Sequence, residues 1–157
     1  MNDSNEGFMR EAIALSKESV NSGGGPFGTV IVKDGSIIAL GMNRVTVWND
    51  PTAHGEIVAI REACRKLGMF HLDGCTLYTN CEPCPMCLGA IYWSHLSGVY
   101  FANTREDAAT IGFDDVLIYN EMNNAFGDRR MPFHQIMRDE AIAVFQTWAR
   151  KVDKVRY

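Results

Sequence analysis

Two short motifs constrain the fold of this chain most strongly, because each begins a predicted helix and a predicted strand lies between them. They are His54-Gly55-Glu56 and Pro83-Cys84-Pro85-Met86-Cys87. In a strand–helix crossover layout both helices start at the same edge of the sheet, so His54, Cys84 and Cys87 should converge at the carboxyl ends of the strands. One imidazole and two thiolates suit zinc, and three protein ligands leave a fourth tetrahedral position for water, which is typical of a catalytic site.

Glu56 follows the histidine by two residues, so its carboxylate can face a water molecule at the metal without binding the metal itself. Zinc lowers the pKa of such a water to about 7, which makes hydroxide available at neutral pH. A carboxylate beside it can take the water's proton, pass it to a ring nitrogen and then protonate the leaving amine. The pattern therefore predicts hydrolytic deamination, with Glu56 as the proton shuttle.

The periodicity of apolar residues predicts an α/β fold with a mixed sheet. Two β-rich segments joined by Asp34-Gly35 predict an antiparallel hairpin, and the later strands alternate with helices, which implies parallel crossovers. The predicted helices are 6–20, 53–67, 85–94, 106–110 and 140–152, and the predicted strands are 27–32, 37–42, 75–79 and 99–102. The pattern is weaker after residue 103. There, residues 123–131 are predicted as a loop, and the last helix is predicted to turn Ile142, Phe145 and Trp148 inward.

Length and composition predict one domain spanning residues 1–157, since 157 residues with 46% hydrophobic content suffice for a single core. The net charge is −4, so no overall positive field favours nucleic acid, although Arg129-Arg130 and Arg150-Lys151 could form a local basic patch. No segment reaches the length of a membrane span, and the chain starts with polar residues. Of the five cysteines, three crowd into residues 81–87, a spacing typical of metal ligation, and we expect a cytoplasmic protein.

Cys81 offers alternatives to a catalytic site. As a fourth ligand it would close a structural zinc site in a non-catalytic interaction module, and its spacing imitates part of an iron–sulfur motif, although the later Cys-Pro is missing. Glu56 argues against the structural alternative, because a closed site needs no carboxylate near its metal. Cys81 can instead be a small buried thiol at the end of a strand. Core positions are expected for Cys64 and Cys75, and no spacing partner marks His71, His95 or His134 as a ligand.

The motif His54-x-Glu56 with Pro83-Cys84-x-x-Cys87 resembles the signature of the cytidine deaminase-like superfamily. Further segments are similar to the bacterial guanine deaminase family: residues 24–28, Asn43, 49–54, 92–93 and 112–115. The resemblance implies a three-layer fold with a five-stranded mixed sheet flanked by helices, a homodimer, and conversion of guanine and water to xanthine and ammonia. Gly55 departs from the family, which more often has alanine between the ligand and the glutamate.

The resemblance also implies substrate contacts. Asn43, at the end of a strand, is expected to hydrogen-bond the purine edge, and Phe27 and Trp93 offer flat apolar surface for a planar base. Asp115 is expected to be a second catalytic carboxylate against the purine, with Asp114 as the competing candidate. Tyr157 is expected to cover the pocket of a partner subunit, on an exchanged C-terminal segment.

The substrate is the least constrained prediction, because the motifs specify attack on an amino-bearing ring carbon and not the ring. A tRNA adenosine deaminase shares the metal motif and the size, although the acidic charge balance argues against an RNA substrate. Cytosine, pterin and triazine rings also remain open. We expect a small purine, and guanine first.

Overall fold

The computed structural model describes residues 3–156, which divide into two compact units, Met1–Asp115 and Val116–Tyr157. The first unit contains most of the predicted elements. Its helices are α1 (Asp3–Asn21), α2 (Val45–Trp48), α3 (Gly55–Leu67), α4 (Pro85–Trp93) and α5 (Arg105–Thr110), and its strands are β1 (Gly28–Lys33), β2 (Ser36–Met42), β3 (Cys75–Cys81) and β4 (Gly98–Asn103). Apart from the short α2, each of these elements was predicted from the sequence pattern.

The strands form one mixed sheet in the order β2-β1-β3-β4. Strand β1 is antiparallel to both β2 and β3, whereas β3 and β4 are parallel and joined through α4, as predicted. The expectation of five strands is wrong, because the sheet has four across residues 3–156. After β4 the side chains of Thr104 and Asp107 cap each other's backbone and start α5, and the apolar segment that follows forms a helix rather than a strand.

Alternating side chains of the sheet face two different helical layers. On one face, Val30 and Val32 of β1 pack with Leu15 of α1 and with Tyr78. The opposite face belongs to a second cluster of buried residues from the sheet, α3 and α4: Ile31, Ala39, Leu77, Ala59, Ala63 and Ile91. The predicted three layers are therefore present in the first unit, with the sheet between α1 on one side and α3 and α4 on the other.

Two glycines permit the turns and close contacts that this packing needs. In the β1–β2 hairpin, Asp34 and Gly35 both have positive φ angles of 49° and 74°, as a two-residue type I′ turn requires. At Gly41 of β2, a Cβ atom would lie 2.1 Å from the backbone oxygen of Gly55. Glycine at this position therefore lets the first turn of α3, with Glu56, lie directly on the sheet.

The second unit consists of α6 (Val116–Asn123), a 3-10 turn (Phe126–Asp128) and α7 (Arg138–Arg150). The predicted terminal helix is present, but its inward face is not. Phe145 and Trp148 are 73% and 45% exposed, and Ile142 is half-buried. An amphipathic face is buried only where an apolar surface covers it, and in this unit no residue as far as Arg156 is buried.

Inside the second unit, the Arg129 guanidinium lies over the stacked rings of Phe126 and Phe133, 4.7 and 4.8 Å from their centroids.

Across residues 3–156, none of the helices combines the length and apolar content needed to cross a membrane.

Candidate metal and substrate site

Two of the three candidate metal ligands occupy equivalent positions, at the starts of two neighbouring helices. His54 is the N-cap of α3 and Cys84 is the N-cap of α4, both with extended backbone angles, and Cys87 lies in the first turn of α4. His54 therefore precedes the first helical turn, in which the sequence pattern had placed it. Neither N-cap side chain makes a capping hydrogen bond, so both are available as ligands, while the helix dipoles favour thiolate at this end.

The distances between the ligand atoms fit a tetrahedral zinc ion. The Nδ1 atom of His54 lies 3.6 Å from the Sγ atom of Cys84 and 3.6 Å from that of Cys87. Zn–N and Zn–S bonds of their usual lengths at a tetrahedral angle separate nitrogen from sulfur by about 3.6 Å. All three ligand atoms lie within 4.8 Å of one another. The imidazole and the two sulfurs therefore fit zinc in both chemistry and spacing.

The three ligands share their protons unequally. The Cys87 thiol donates to Cys84, and this hydrogen bond, together with one from His54, lowers the pKa of Cys84 to about 4 despite its burial. The same bond to Cys84 and burial raise the pKa of Cys87, and the bond to Cys84 raises the pKa of His54. These hydrogen bonds favour the thiolate at Cys84 and retain protons more strongly on Cys87 and His54, and binding of zinc must displace those protons.

Glu56 and Cys81 are buried beside this cluster. Burial is the main cause that raises the pKa of the Glu56 carboxyl, which is 6% exposed and interacts with both Cys87 and His54. Burial likewise raises the pKa of the Cys81 thiol to about 11. The Sγ atom of Cys81 lies 3.7 Å from the Thr104 carbonyl oxygen, and among residues 3–156 the ligand cluster comprises His54, Cys84 and Cys87 without Cys81. This placement agrees with a buried thiol rather than a fourth ligand.

Asn43 follows β2 and is almost completely buried. Its Oδ1 atom accepts hydrogen bonds from the backbone N–H groups of Gly25 and Val45, each at 3.2 Å. Since two donors occupy the oxygen, they determine which way the amide faces, and its NH2 group is left to donate to a ligand. The backbone N–H of Asn43 also donates to the carbonyl oxygen of Phe27 at 3.0 Å.

Phe27 and Asp115 lie close to a second aromatic residue. The Phe27 ring meets the Phe113 ring edge-to-face, with 4.9 Å between centroids. Two residues further on, the half-buried Asp115 interacts electrostatically with Cys84, and burial is the main cause that raises its pKa. Asp114 is exposed. Of the two competing carboxylates, Asp115 is therefore the better placed toward the cluster.

Trp93 lies at the opposite end of α4 from the metal ligands. Trp93 is the last residue of α4 and is 65% exposed. With a rise of about 1.5 Å per residue, it lies roughly 12 Å along the helix axis from Pro85, so one chain does not bring it to His54. Tyr157 lies outside the described residues. Both remain predictions.

A cavity of about 480 Å³ lies next to the site and not on it. Its lining includes Phe27, Asn80 and Cys81 but none of the three metal ligands. Asn80 was not singled out in the sequence, although an asparagine directly after the predicted buried strand 75–79 is a usable signal, because a buried amide requires hydrogen-bond partners.

Residues 2–103 match the family described as the cytidine and deoxycytidylate deaminase zinc-binding region. The chain is 53% identical over 153 residues to the guanine deaminase of Bacillus subtilis strain 168. The alignment covers 97% of this chain and 98% of that protein. It is 33% identical over 147 residues to a tRNA-specific adenosine deaminase of Aquifex aeolicus strain VF5, and this alignment covers 94% of this chain and 95% of that protein.

Solved structures agree with these relatives. The X-ray structure of the Bacillus subtilis guanine deaminase superposes with a TM-score of 0.95 at 52% identity, covering 100% of this chain and 99% of that one. A guanine deaminase structure from Nitrosomonas europaea gives a TM-score of 0.67 at 35% identity, covering 69% and 64%.

Proposed function

The chain belongs to the cytidine and deoxycytidylate deaminase zinc-binding family, and from this we propose that it is a zinc-dependent hydrolase that converts guanine and water to xanthine and ammonia. The observation that carries the chemistry is the pair of 3.6 Å distances from His54 Nδ1 to the two cysteine sulfurs. The observation that favours guanine is the 53% identity to a guanine deaminase along nearly the whole chain.

The zinc ion would be held by His54, Cys84 and Cys87. As a Lewis acid it would lower the pKa of a water molecule to about 7, so that hydroxide is available at neutral pH. Glu56 accepts a proton from the attacking water and donates it to a ring nitrogen as the new C–O bond forms. It then transfers the second proton to the amino group, so that the C–N bond breaks and ammonia leaves. Because Glu56 is buried, these protons pass between the carboxylate and the substrate without competition from bulk water.

The purine is held by groups at the rim of the cluster. The NH2 group of Asn43 donates to an acceptor on the purine edge, and the carboxylate of Asp115 accepts from a ring N–H. The Phe27 ring provides an apolar surface for the base. Buried polar groups matched to one purine are left unpaired by another, so guanine should be preferred strongly over adenine.

The substrate is tested by comparing two reactions of the same enzyme preparation. Purified zinc-loaded enzyme is incubated with guanine, with xanthine followed by absorbance, and with a tRNA anticodon stem-loop, with inosine measured after digestion. We expect xanthine and no inosine. Asp115→Ala should lower xanthine formation without loss of zinc, with the exposed Asp114→Ala as its matched control. Inosine without xanthine would reassign the chain to the tRNA deaminases of the family.

We propose further that the two units act as one catalytic domain in a homodimer, with the C-terminal segment exchanged between subunits. The support is the second unit's exposed apolar surface, which includes Phe126, Ile136 and Phe145 at 65%, 78% and 73% exposure. Exposed apolar area of this extent is typical of a surface that binds another chain. Tyr157 would then contact the base of the partner's site, while Trp93, in the first unit, stays a candidate apolar surface for the base.

Complementation between two inactive variants tests the exchange. Glu56→Gln destroys a subunit's own chemistry but leaves its tail intact, whereas Tyr157→Ala leaves the chemistry intact but removes the tail contact. If the tails are exchanged, one site of a mixed dimer combines an intact Glu56 from one subunit with an intact Tyr157 from the other. Mixing the two variants after reversible dissociation should then restore part of the activity. Unchanged low activity in a demonstrated heterodimer would mean that each tail serves its own subunit.

A cytoplasmic location is also our proposal. The five cysteines are all free thiols, and Cys84 and Cys87 must stay reduced to bind metal. Localisation of a tagged full-length chain by cell fractionation would test it, with recovery in the cytosolic fraction as the expected result.

A further inference from the structure

We propose that Asn80 is a positioning residue for guanine binding, because its side-chain amide holds the backbone on both sides of Phe27 in place. The Nδ2 atom of Asn80 donates to the carbonyl oxygen of Pro26 at 3.0 Å. The Oδ1 atom accepts from the backbone N–H of Gly28 at 2.8 Å. This inference rests on the proposed function, in which Phe27 contacts the base.

The amide of Asn80 takes the place of a backbone partner beyond the end of the β1–β3 ladder. The antiparallel ladder between β1 and β3 has its last pair at Thr29 and Thr79, so Gly28 lies one residue beyond it. A side-chain amide offers a donor and an acceptor in one plane, as a peptide group does. Asn80 therefore continues the pairing beyond the ladder, and its amide satisfies the buried N–H of Gly28 and the carbonyl oxygen of the half-buried Pro26.

The contacts around Gly28 leave the segment little freedom on one side. A Cβ atom on Gly28 would lie 2.3 Å from the carbonyl oxygen of Ala12 and 2.5 Å from the backbone nitrogen of Ser16, both in α1. Residues 26–28 are thus enclosed between α1 and the amide of Asn80. The 480 Å³ cavity lined by Phe27 and Asn80 provides space into which the segment could shift if the amide were absent.

The same segment contacts Asn43 and lies beside the residue between His54 and Glu56. The carbonyl oxygen of Phe27 accepts from the backbone N–H of Asn43, and it lies 3.4 Å from the position of a Cβ on Gly55, the residue between His54 and Glu56. A displacement of Phe27 would therefore alter its contact with the base and its hydrogen bond to Asn43 together. Asn80 makes no contact with the substrate in this scheme, and acts through Phe27.

The test compares Asn80→Leu, which keeps the branching at Cγ and removes both hydrogen bonds, with Asn80→Asp, which keeps the acceptor for Gly28 and removes the donor to Pro26. Holoenzyme of each is assayed with guanine. A shift of a binding group by about 1 Å can cost up to a hundredfold, so we expect KM to rise roughly tenfold to a hundredfold in Asn80→Leu, and less in Asn80→Asp. The value of kcat should change less than KM, and zinc content should not change.

A double-mutant cycle with Phe27→Ala separates positioning from general destabilisation. If Asn80 acts through Phe27, Asn80→Leu should raise KM by less than about twofold once the ring is gone. Ser94→Ala is the matched control, since it removes another buried side-chain hydrogen bond, to the carbonyl oxygen of Ile91 at 3.1 Å. It should lower the melting temperature without changing KM.

Hydrogen exchange of the Gly28 amide, measured by NMR on the holoenzyme, tests the contact without any assay. Asn80→Leu should accelerate this exchange, and Asn80→Asp should affect it less. Unchanged exchange, an unchanged KM in Asn80→Leu, or an equal KM effect with and without the Phe27 ring would each overturn the inference. If the wild-type enzyme forms no xanthine, the proposed function fails, and the exchange measurement still decides whether Asn80 holds the segment.

Discussion

The two units of this chain differ in where their large apolar side chains lie. In Met1–Asp115, side chains such as Ile31, Leu72 and Leu77 are at most 1% exposed and form a core on the α3 side of the sheet. In Val116–Tyr157, Met131 and Phe145 are 69% and 73% exposed. The first unit has a core of its own, whereas the second, as far as Arg156, has exposed apolar side chains and no buried residue.

We propose that this difference separates chemistry, in the first unit, from association with another chain, in the second. The metal ligands, Glu56, Asn43 and Asp115 all belong to the first unit, where buried secondary structure determines their positions. Burying one large apolar side chain contributes about 1.5 to 3 kcal/mol, so covering several of these exposed residues with another chain would support the association that we propose. Substitutions in the first unit should therefore affect catalysis in a single chain, whereas those in the second should act through association.

The largest expected effect is the loss of zinc. Cys87→Ala or Cys84→Ala removes one of the two thiolates that provide most of the affinity for zinc, so the metal and all measurable turnover should be lost. Metal analysis after gel filtration, with Cys64→Ala as a cysteine control outside the cluster, measures this. Full zinc in either ligand variant would contradict the assignment of the site.

Glu56→Gln should have the next largest effect. The amide is similar in shape but cannot carry protons, so kcat should fall by roughly 10³ to 10⁴ while zinc content and melting temperature stay close to wild type. The measurement is steady-state xanthine formation together with metal analysis. Turnover within tenfold of wild type would exclude Glu56 as the shuttle.

Zinc binding should depend steeply on pH. The pKa of Cys84 is lowered to about 4, so this group is already a thiolate, whereas the pKa values of Cys87 and His54 are raised. Protons on the latter two compete with zinc, so the apparent affinity should fall as pH falls, by about a hundredfold per pH unit below the pKa of His54 and about tenfold above it. Calorimetry of the metal-free protein in buffers of different ionisation enthalpy counts the protons released. Uptake without proton release would contradict the sharing of protons in the site.

The convergence of the ligands could be predicted from sequence, because His54 and Cys84 each stand immediately before a helix that follows a strand, and crossover topology brings such helix starts together. The hydrogen bonds of the Asn43 side chain could not be predicted from the sequence. Its orientation depends on the N–H groups of Gly25 and Val45, which come close only after the chain folds. Asn80 was overlooked for the same reason, since its partners lie more than fifty residues away at Pro26 and Gly28.

The errors in the fold have a similar origin. The resemblance implied a fifth strand without assigning it to a segment, and the sheet across residues 3–156 has four strands. Residues 116–119, Val-Leu-Ile-Tyr, have strand propensity but begin helix α6. For α7, the spacing of Phe145 and Trp148 correctly indicates an apolar face. Periodicity shows which face is apolar and does not show which surface covers it, so the inward orientation could not follow from the pattern.

Phe145→Asp should have a moderate effect, through the second unit alone. A charge in the centre of the apolar face of α7 opposes its burial against another chain, so the sedimentation coefficient should fall toward that of a monomer and activity should drop roughly tenfold at low concentration. Met69→Asp, which introduces the same charge at a 41% exposed position of the first unit, is the control. An unchanged dimer in Phe145→Asp would move the interface away from α7.

The smallest expected effect is that of Cys81→Ser, which decides between a catalytic and a structural site. The Cys81 thiol is 5% exposed, burial raises its pKa to about 11, and it faces the carbonyl oxygen of Thr104 at 3.7 Å rather than the ligand cluster. A serine hydroxyl keeps a donor toward that oxygen, so zinc content should stay full and turnover should change by less than about twofold, with a loss of stability near 1 kcal/mol at most. Metal analysis and thermal unfolding on the same preparation provide the measurement. Loss of zinc in Cys81→Ser, comparable with that in Cys87→Ala, would make Cys81 a fourth ligand, close the coordination sphere to water, and remove the basis for placing hydrolytic chemistry in the first unit.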